Sequence, residues 1–268
     1  MKTTAVARNG MRKLIFLIIA VTLIMGIYVS LSHASELEKT IKPKGTKQEQ
    51  KIDENKNKEP KRIILIDPGH GGYDGGAKSK NGTVEKDINL SVANKVKAEL
   101  EKEGYKVFMT RDKDESLNNP SGSKYSSKKV EDLTNRCNKK KEVNCDMFIS
   151  IHQNTFPKGS VKGAQVWYSS FEESKYLAKT IQESLREYLD PTNKRIEKPA
   201  LDSYKILRDG YEAPSVIVEC GFITNYEEEQ KLKDEAYQKK IAEAITASVN
   251  RYYEELKVRA GRELEKAQ

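Results

Sequence analysis

Cysteine and histidine are both scarce in this 268-residue chain, with three of each. Cys137, Cys145 and Cys220 form no C-x-x-C pair, which argues against a thiolate zinc site and against a thioredoxin-like motif. Cys137 and Cys145 can in principle pair outside the cell, but the simpler reading is three scattered small hydrophobes. Of the histidines, His33 lies in a leader stretch, so a histidine site must draw on His70 and His152 and be completed by carboxylates. A basic footprint is missing from the body of the chain. The formal charge is +8, yet residues 1–62 carry thirteen Lys/Arg against six Asp/Glu, and residues 63–268 carry 35 against 34. That near-neutral body argues against nucleic acid as a partner. There is no internal repeat.

What is present begins with a leader. Met1–Lys13 holds Lys2, Arg8, Arg12 and Lys13 and no acid, and Leu14–Leu31 is apolar apart from Thr22, Gly26, Tyr28 and Ser30. A positive flank before an apolar run is an export signal, and its length borders on that of a membrane-spanning helix. Ser32-His33-Ala34 offers a small-x-small cleavage site. Residues 1–34 therefore read as a signal peptide or membrane anchor, which places the rest outside the cytoplasm. Residues 35–61 are rich in Lys, Glu, Asn and Gln and nearly free of large apolar side chains, so they read as a disordered charged linker.

From Arg62 the pattern becomes that of an α/β domain, expected over 62–256 with a charged tail at 257–268. Strands are expected at Ile63–Ile66, Tyr105–Thr110, Met147–Ile151, Gly163–Ser169, around Lys205–Leu207, and at Ser215–Val218. Helices are expected at 85–103, 129–143, 172–189, 226–233 and 235–256. The first carries Ile88, Val92, Val96 and Leu100 at four-residue steps, one face of an amphipathic helix. Arg111–Ser127 reads as a long polar loop. Strand–helix alternation predicts a single domain with a mainly parallel, roughly six-stranded sheet flanked by helices on both faces.

Three residues capable of chemistry, His70, His152 and Glu219, each follow an expected strand at its C-terminal end. In a parallel sheet those ends share one edge, so the three can converge. Two imidazoles and a carboxylate form a hydrolytic zinc set with one position left for water. Asp67, Asp74, Glu85 and Glu219 compete for the carboxylate place. Glu85 opens a helix, where an acid suits the helix dipole, so ligand and cap remain equal readings of it. Glu219 ends the buried run Ser215–Val218, where a charge needs a partner, a cation or an exposed edge. Cys220 beside it is expected to point to the opposite face and pack.

These residues stand in four ordered motifs: Asp67-Pro68-Gly69-His70-Gly71-Gly72-Tyr73-Asp74-Gly75-Gly76-Ala77, Glu85-Lys86-Asp87-Ile88-Asn89-Leu90, Ser150-Ile151-His152-Gln153-Asn154, and Val218-Glu219-Cys220-Gly221-Phe222-Ile223-Thr224-Asn225. From about Arg62 to Tyr253 the chain resembles the zinc-dependent N-acetylmuramoyl-L-alanine amidases of bacterial cell-wall turnover, often called amidase type 3. The resemblance implies one zinc ion per chain held by His70, Glu85 and His152, with Glu219 as the catalytic acid/base. It implies hydrolysis of the amide between the lactyl group of N-acetylmuramic acid and L-alanine of the peptidoglycan stem peptide. Within the family the chain looks most like the sporulation- and germination-associated members. That implies a role in spore cortex maturation through muramic-δ-lactam, in the forespore intermembrane or cortex space, and an accessory lipoprotein as a possible partner. Asn154 and Arg111 are candidates for substrate contact, with an ordinary loop ion pair as the other reading of Arg111. Asp67 is a candidate for orienting His70 through a hydrogen bond. One stretch, Asn135–Lys141, departs from the alanine- and isoleucine-rich helix usual before the third motif. The rival readings are a zinc peptidase cutting within the stem peptide and a non-catalytic, membrane-tethered wall-binding protein.

Overall fold

The computed structural model describes residues 62–119 and 125–266, so the leader expected at 1–34 and the linker at 35–61 lie outside the described residues. No helix among the described residues is long and apolar enough to cross a membrane. The elements in order are β1 (Ile63–Pro68), α1 (Glu85–Lys102), β2 (Lys106–Met109), α2 (Tyr125–Val143), β3 (Met147–Asn154), β4 (Gln165–Tyr168), α3 (Glu172–Leu189), β5 (Lys198–Pro199), β6 (Ser215–Phe222), α4 (Tyr226–Lys233) and α5 (Glu235–Lys266). The six strands form one sheet in the order β2-β1-β3-β6-β4-β5. Strands β2, β1, β3 and β6 run parallel, and β4 is antiparallel to β6.

Alternation along the central strands sorts the core into two layers. Ile64 and Ile66 of β1, Met147, Ile149 and Ile151 of β3, and Val216, Val218 and Cys220 of β6 face a large cluster closed by α1, α3 and α5. Val92, Val96 and Leu100 of α1, and Ile241, Ile245 and Val249 of α5, are fully buried there. Leu65, Phe148 and Ile217 face the other way, onto Cys137 of α2 and Ile206 and Leu207. All three cysteines are buried and free, so Cys137 and Cys145 do not pair.

The structure departs from the sequence expectations at several boundaries. Lys205–Leu207 is a single 3-10 turn, and the edge strand is Lys198–Pro199 instead. Proline is tolerated there because an edge strand leaves N–H positions unpaired. Helix α2 starts at Tyr125, inside the stretch read as loop. Strands β3 and β6 run three and four residues further than expected, so His152 and Glu219 lie within paired strands. Helix α5 continues to Lys266 through the charged tail, where Glu, Lys, Arg and Ala are good helix formers.

Candidate active site

The parallel strands β1, β3 and β6 are neighbours, and their C-terminal ends carry the site. His70 sits two residues past β1, His152 is in β3, and Glu219 is its direct register partner in β6. A bulge between His152 and Asn154 locally shifts that pairing, a common device for re-aiming side chains beside active sites. From His70 the chain turns through the glycine loop and enters α1 at Glu85.

The Glu85 carboxylate, 3% exposed, lies between the two imidazoles. Its Oε2 is 3.3 Å from His70 Nε2 and its Oε1 is 3.0 Å from His152 Nδ1. The backbone N–H groups of Ala77 and Gln153 and the side-chain amide of Asn89 donate to the same two oxygens. None of these is a backbone N–H of α1, so the carboxylate turns toward the histidines and away from its own helix end. The close approach depends on two glycines. A Cβ on Gly69 would lie 2.2 Å from the His152 ring, and one on Gly76 would lie 2.5 Å from Glu85 Oε2 and 2.6 Å from the His70 ring.

His70, Glu85 and His152 each offer one ligand atom, all within 4.8 Å of one another. Burial lowers the His70 pKa, but hydrogen bonds to Asp74 and Glu85 outweigh it and push it up to about 9. Glu85 is held well below its usual range because the two histidines outweigh the penalty of burial. An imidazole that bridges two carboxylates holds a proton where a cation fits. The donor set, two nitrogens and an oxygen, suits Zn2+.

Glu219 is 7% exposed, and its Oε2 has no hydrogen-bond partner. Burial is the main reason its pKa is pushed up to about 7; the His152 charge opposes that shift and the Glu85 charge adds to it. Cys220 packs on the opposite face at 0% exposure, as alternation predicts. Tyr204, whose ring centroid lies 5.5 Å from that of Trp167, is pushed up to about 12 by burial and then by the charges of Glu219 and Glu85, which puts its phenol near the site.

The remaining candidates are placed differently from their expected contacts. Asp67 does not reach the His70 ring. It is fully buried and accepts from Thr110 Oγ1, Ser150 Oγ and Arg136 Nη1, each at 2.6 Å. Asp74 takes the orienting position instead, with Oδ2 3.0 Å from His70 Nδ1. The reason is alternation: Asp67 shares its strand face with Leu65 and so points under α2. Among the described residues Arg111 forms no loop ion pair; its guanidinium is buried and donates to the backbone carbonyls of Pro68, Gly69, Lys86 and Lys113. Asn154 lies half-buried at the end of β3, its Oδ1 accepting from the Thr155 N–H. Sequence reasoning missed Arg136 and Lys140 in α2. Both are buried, at 2% and 0% exposure. Lys140 donates to Ile206 O and pairs with Asp209, 4.2 Å from the Phe148 ring centroid. The signal was available: Leu133, Arg136, Cys137 and Lys140 occupy one helical stripe, and a cation on a buried stripe requires a buried acid.

The family model for N-acetylmuramoyl-L-alanine amidase, Amidase_3, matches residues 64–251. The chain belongs to this family. The amidase is 36% identical over 196 residues to the germination-specific N-acetylmuramoyl-L-alanine amidase of Bacillus subtilis, covering 72% of this chain and 81% of that protein. It is similar in structure to the CwlD amidase of Clostridioides difficile, solved in complex with the GerS lipoprotein, at TM-score 0.70 and 41% identity over 72% of this chain and 98% of that one. The amidase AmiC of Escherichia coli is 30% identical over 233 residues, and the match covers 71% of this chain and 52% of AmiC. All four motifs of the amidase lie inside the matched region.

Proposed function

We propose that the amidase cleaves the amide between the lactyl group of N-acetylmuramic acid and L-alanine in peptidoglycan, using one zinc ion held by His70, Glu85 and His152. The observation that carries this reading is the three-donor cluster beside a buried carboxyl, Glu219, with one unpartnered oxygen. Zinc in such a site supplies a Lewis acid and lowers the pKa of water. Glu219 accepts the proton of the attacking water and returns it to the alanine nitrogen as the C–N bond breaks, the general base becoming the general acid. Asp74 fixes the His70 ring through Nδ1, leaving Nε2 toward Glu85. The glycines of the first loop leave room for a glycan with its peptide, and Asn154 contacts the substrate at the rim. The products are a glycan with bare lactyl carboxylates and a stem peptide that begins with L-alanine.

The setting we assign is spore cortex maturation in the forespore intermembrane space, where peptide removal prepares muramic acid for δ-lactam formation. Supporting it are the germination-specific name of the Bacillus subtilis relative and the likeness to the CwlD amidase. The complex of that amidase with GerS supports an accessory lipoprotein partner here as well. The export-type leader supports an extracytoplasmic enzyme, anchored through residues 1–34 or released by cleavage. Metal analysis of the purified protein tests the site. About one zinc per chain, lost in His152→Ala, is expected for three protein ligands; a wild-type protein that takes up no zinc contradicts the reading.

A further inference from the structure

His70 has φ +61°, a left-handed conformation that a residue with a Cβ rarely adopts. Something must hold it there, since this backbone turn sends the imidazole back toward Glu85. Three successive carbonyls, those of Pro68, Gly69 and His70, enter and form the turn, and two buried guanidiniums hold all three. Arg111 Nε donates to Pro68 O at 3.0 Å and its Nη2 to Gly69 O at 3.0 Å. Arg136 Nη1 donates to Pro68 O at 2.9 Å and its Nη2 to His70 O at 2.7 Å. The bond to the strained residue itself therefore comes from Arg136, in α2.

The rest of the Arg136 fork is taken up by acids. Nη1 also reaches Asp67 Oδ1 and Nε reaches Asp132 Oδ2, both at 2.6 Å. Asp67 is in turn fixed by Thr110 and Ser150. Charge balance alone calls for no carbonyl partners, yet two of the four acceptors belong to the histidine loop. Only a planar guanidinium serves four acceptors in fixed directions; an ammonium is a single point with rotating donors.

We propose that Arg136 is a positioning residue for the metal site: anchored by Asp67 and Asp132, it locks the left-handed His70 turn and presets the first ligand before metal arrives. This rests on the zinc reading above. Removing such support behind a metal ligand typically weakens metal binding ten- to a hundredfold.

Zinc affinity of the full chain, measured by titrating Zn2+ against a chromophoric chelator, tests the proposal, with melting of the zinc-free protein recorded in parallel. Arg136→Lys is expected to bind zinc at least tenfold more weakly than wild type. Lys140→Met damages the same helix away from the histidine loop and is expected to bind within twofold of wild type. Equal zinc affinity in Arg136→Lys and wild type overturns the clamp, as does an equal loss in both variants, which reports only a softened helix. A wild-type chain that binds no zinc overturns the zinc reading instead, and the clamp with it. If Arg136→Lys does not fold, Asp132→Asn, which weakens the hold on the Nε end, is expected to lose about threefold or more, and unchanged affinity there overturns the proposal.

Discussion

At the residue level, Glu219 is placed against its own stability. A free glutamate ionises near pH 4.3, whereas this one is pushed up to about 7 by burial. Below pH about 4 both folded and unfolded chains hold the proton, and nothing is lost. Between pH about 4 and 7 the unfolded chain ionises while the folded site keeps its proton, so stability falls across that window and levels off above it. Glu219→Gln should therefore melt with wild type at pH 4, and several degrees higher at pH 8, in the zinc-free protein. A shift of about 5 °C corresponds to roughly 2 kcal/mol in a domain of this size. The same variant should keep its zinc and lose activity by about 10²–10⁴, the range for a removed acid/base. His70 gives the opposite sign. Its pKa in the zinc-free site is up to about 9, against about 6.5 when free, so it is protonated at neutral pH, and under the proposed ligation zinc has to displace that proton. Zinc affinity should rise about tenfold per pH unit between pH 7 and 9, read by chelator competition; a flat profile would mean that His70 is not a ligand.

Among the elements, β-branched runs and four-residue apolar steps made most strands and helices legible, because both report a buried face directly. His70, His152 and Glu219 were legible for a related reason: polar residues that end buried runs in a parallel sheet collect at one edge. Glu85 stayed open between ligand and cap because that choice depends on room made by Gly69 and Gly76, which no periodicity records. Asp67, expected to orient His70, instead bonds Arg136, Thr110 and Ser150, as its shared parity with Leu65 dictates. The two-residue strand β5 and the Lys205–Leu207 turn left no pattern, since an edge pair so short is set by its neighbours. The end of β6 depends on α4 in a way that the fourth motif partly exposes. Asn225 Oδ1 accepts from Glu228 N at 3.0 Å, capping α4, and Glu228 in turn accepts from Phe222 N at 2.7 Å. Asn225→Ala should cost about 1 kcal/mol, the usual value of an N-cap, measured by denaturant unfolding.

Across the whole molecule, one salt bridge ties the sheet to α2 beneath the site. Burial raises the Asp67 pKa, but the Arg136 charge and hydrogen bonds from Ser150 and Thr110 outweigh it and hold it at about 2. An unfolded aspartate titrates near 3.9, so the stability from this carboxylate is present above pH about 4 and lost as pH falls through 2. Acid unfolding should carry this component, and Asp67→Asn should remove it while lowering stability at pH 7 by about 3 kcal/mol or more, the penalty for a buried charge left without its partner. The architecture thus braces from below, through α2, the edge that carries His70, Glu85 and His152. The reaction assigned to that edge is tested most directly by mass spectrometry of peptidoglycan digested with wild type and with Glu219→Gln. Peptides beginning at L-alanine, paired with glycans bearing unsubstituted muramic acid, should appear with wild type alone; fragments cut between amino acids of the stem peptide would contradict the account.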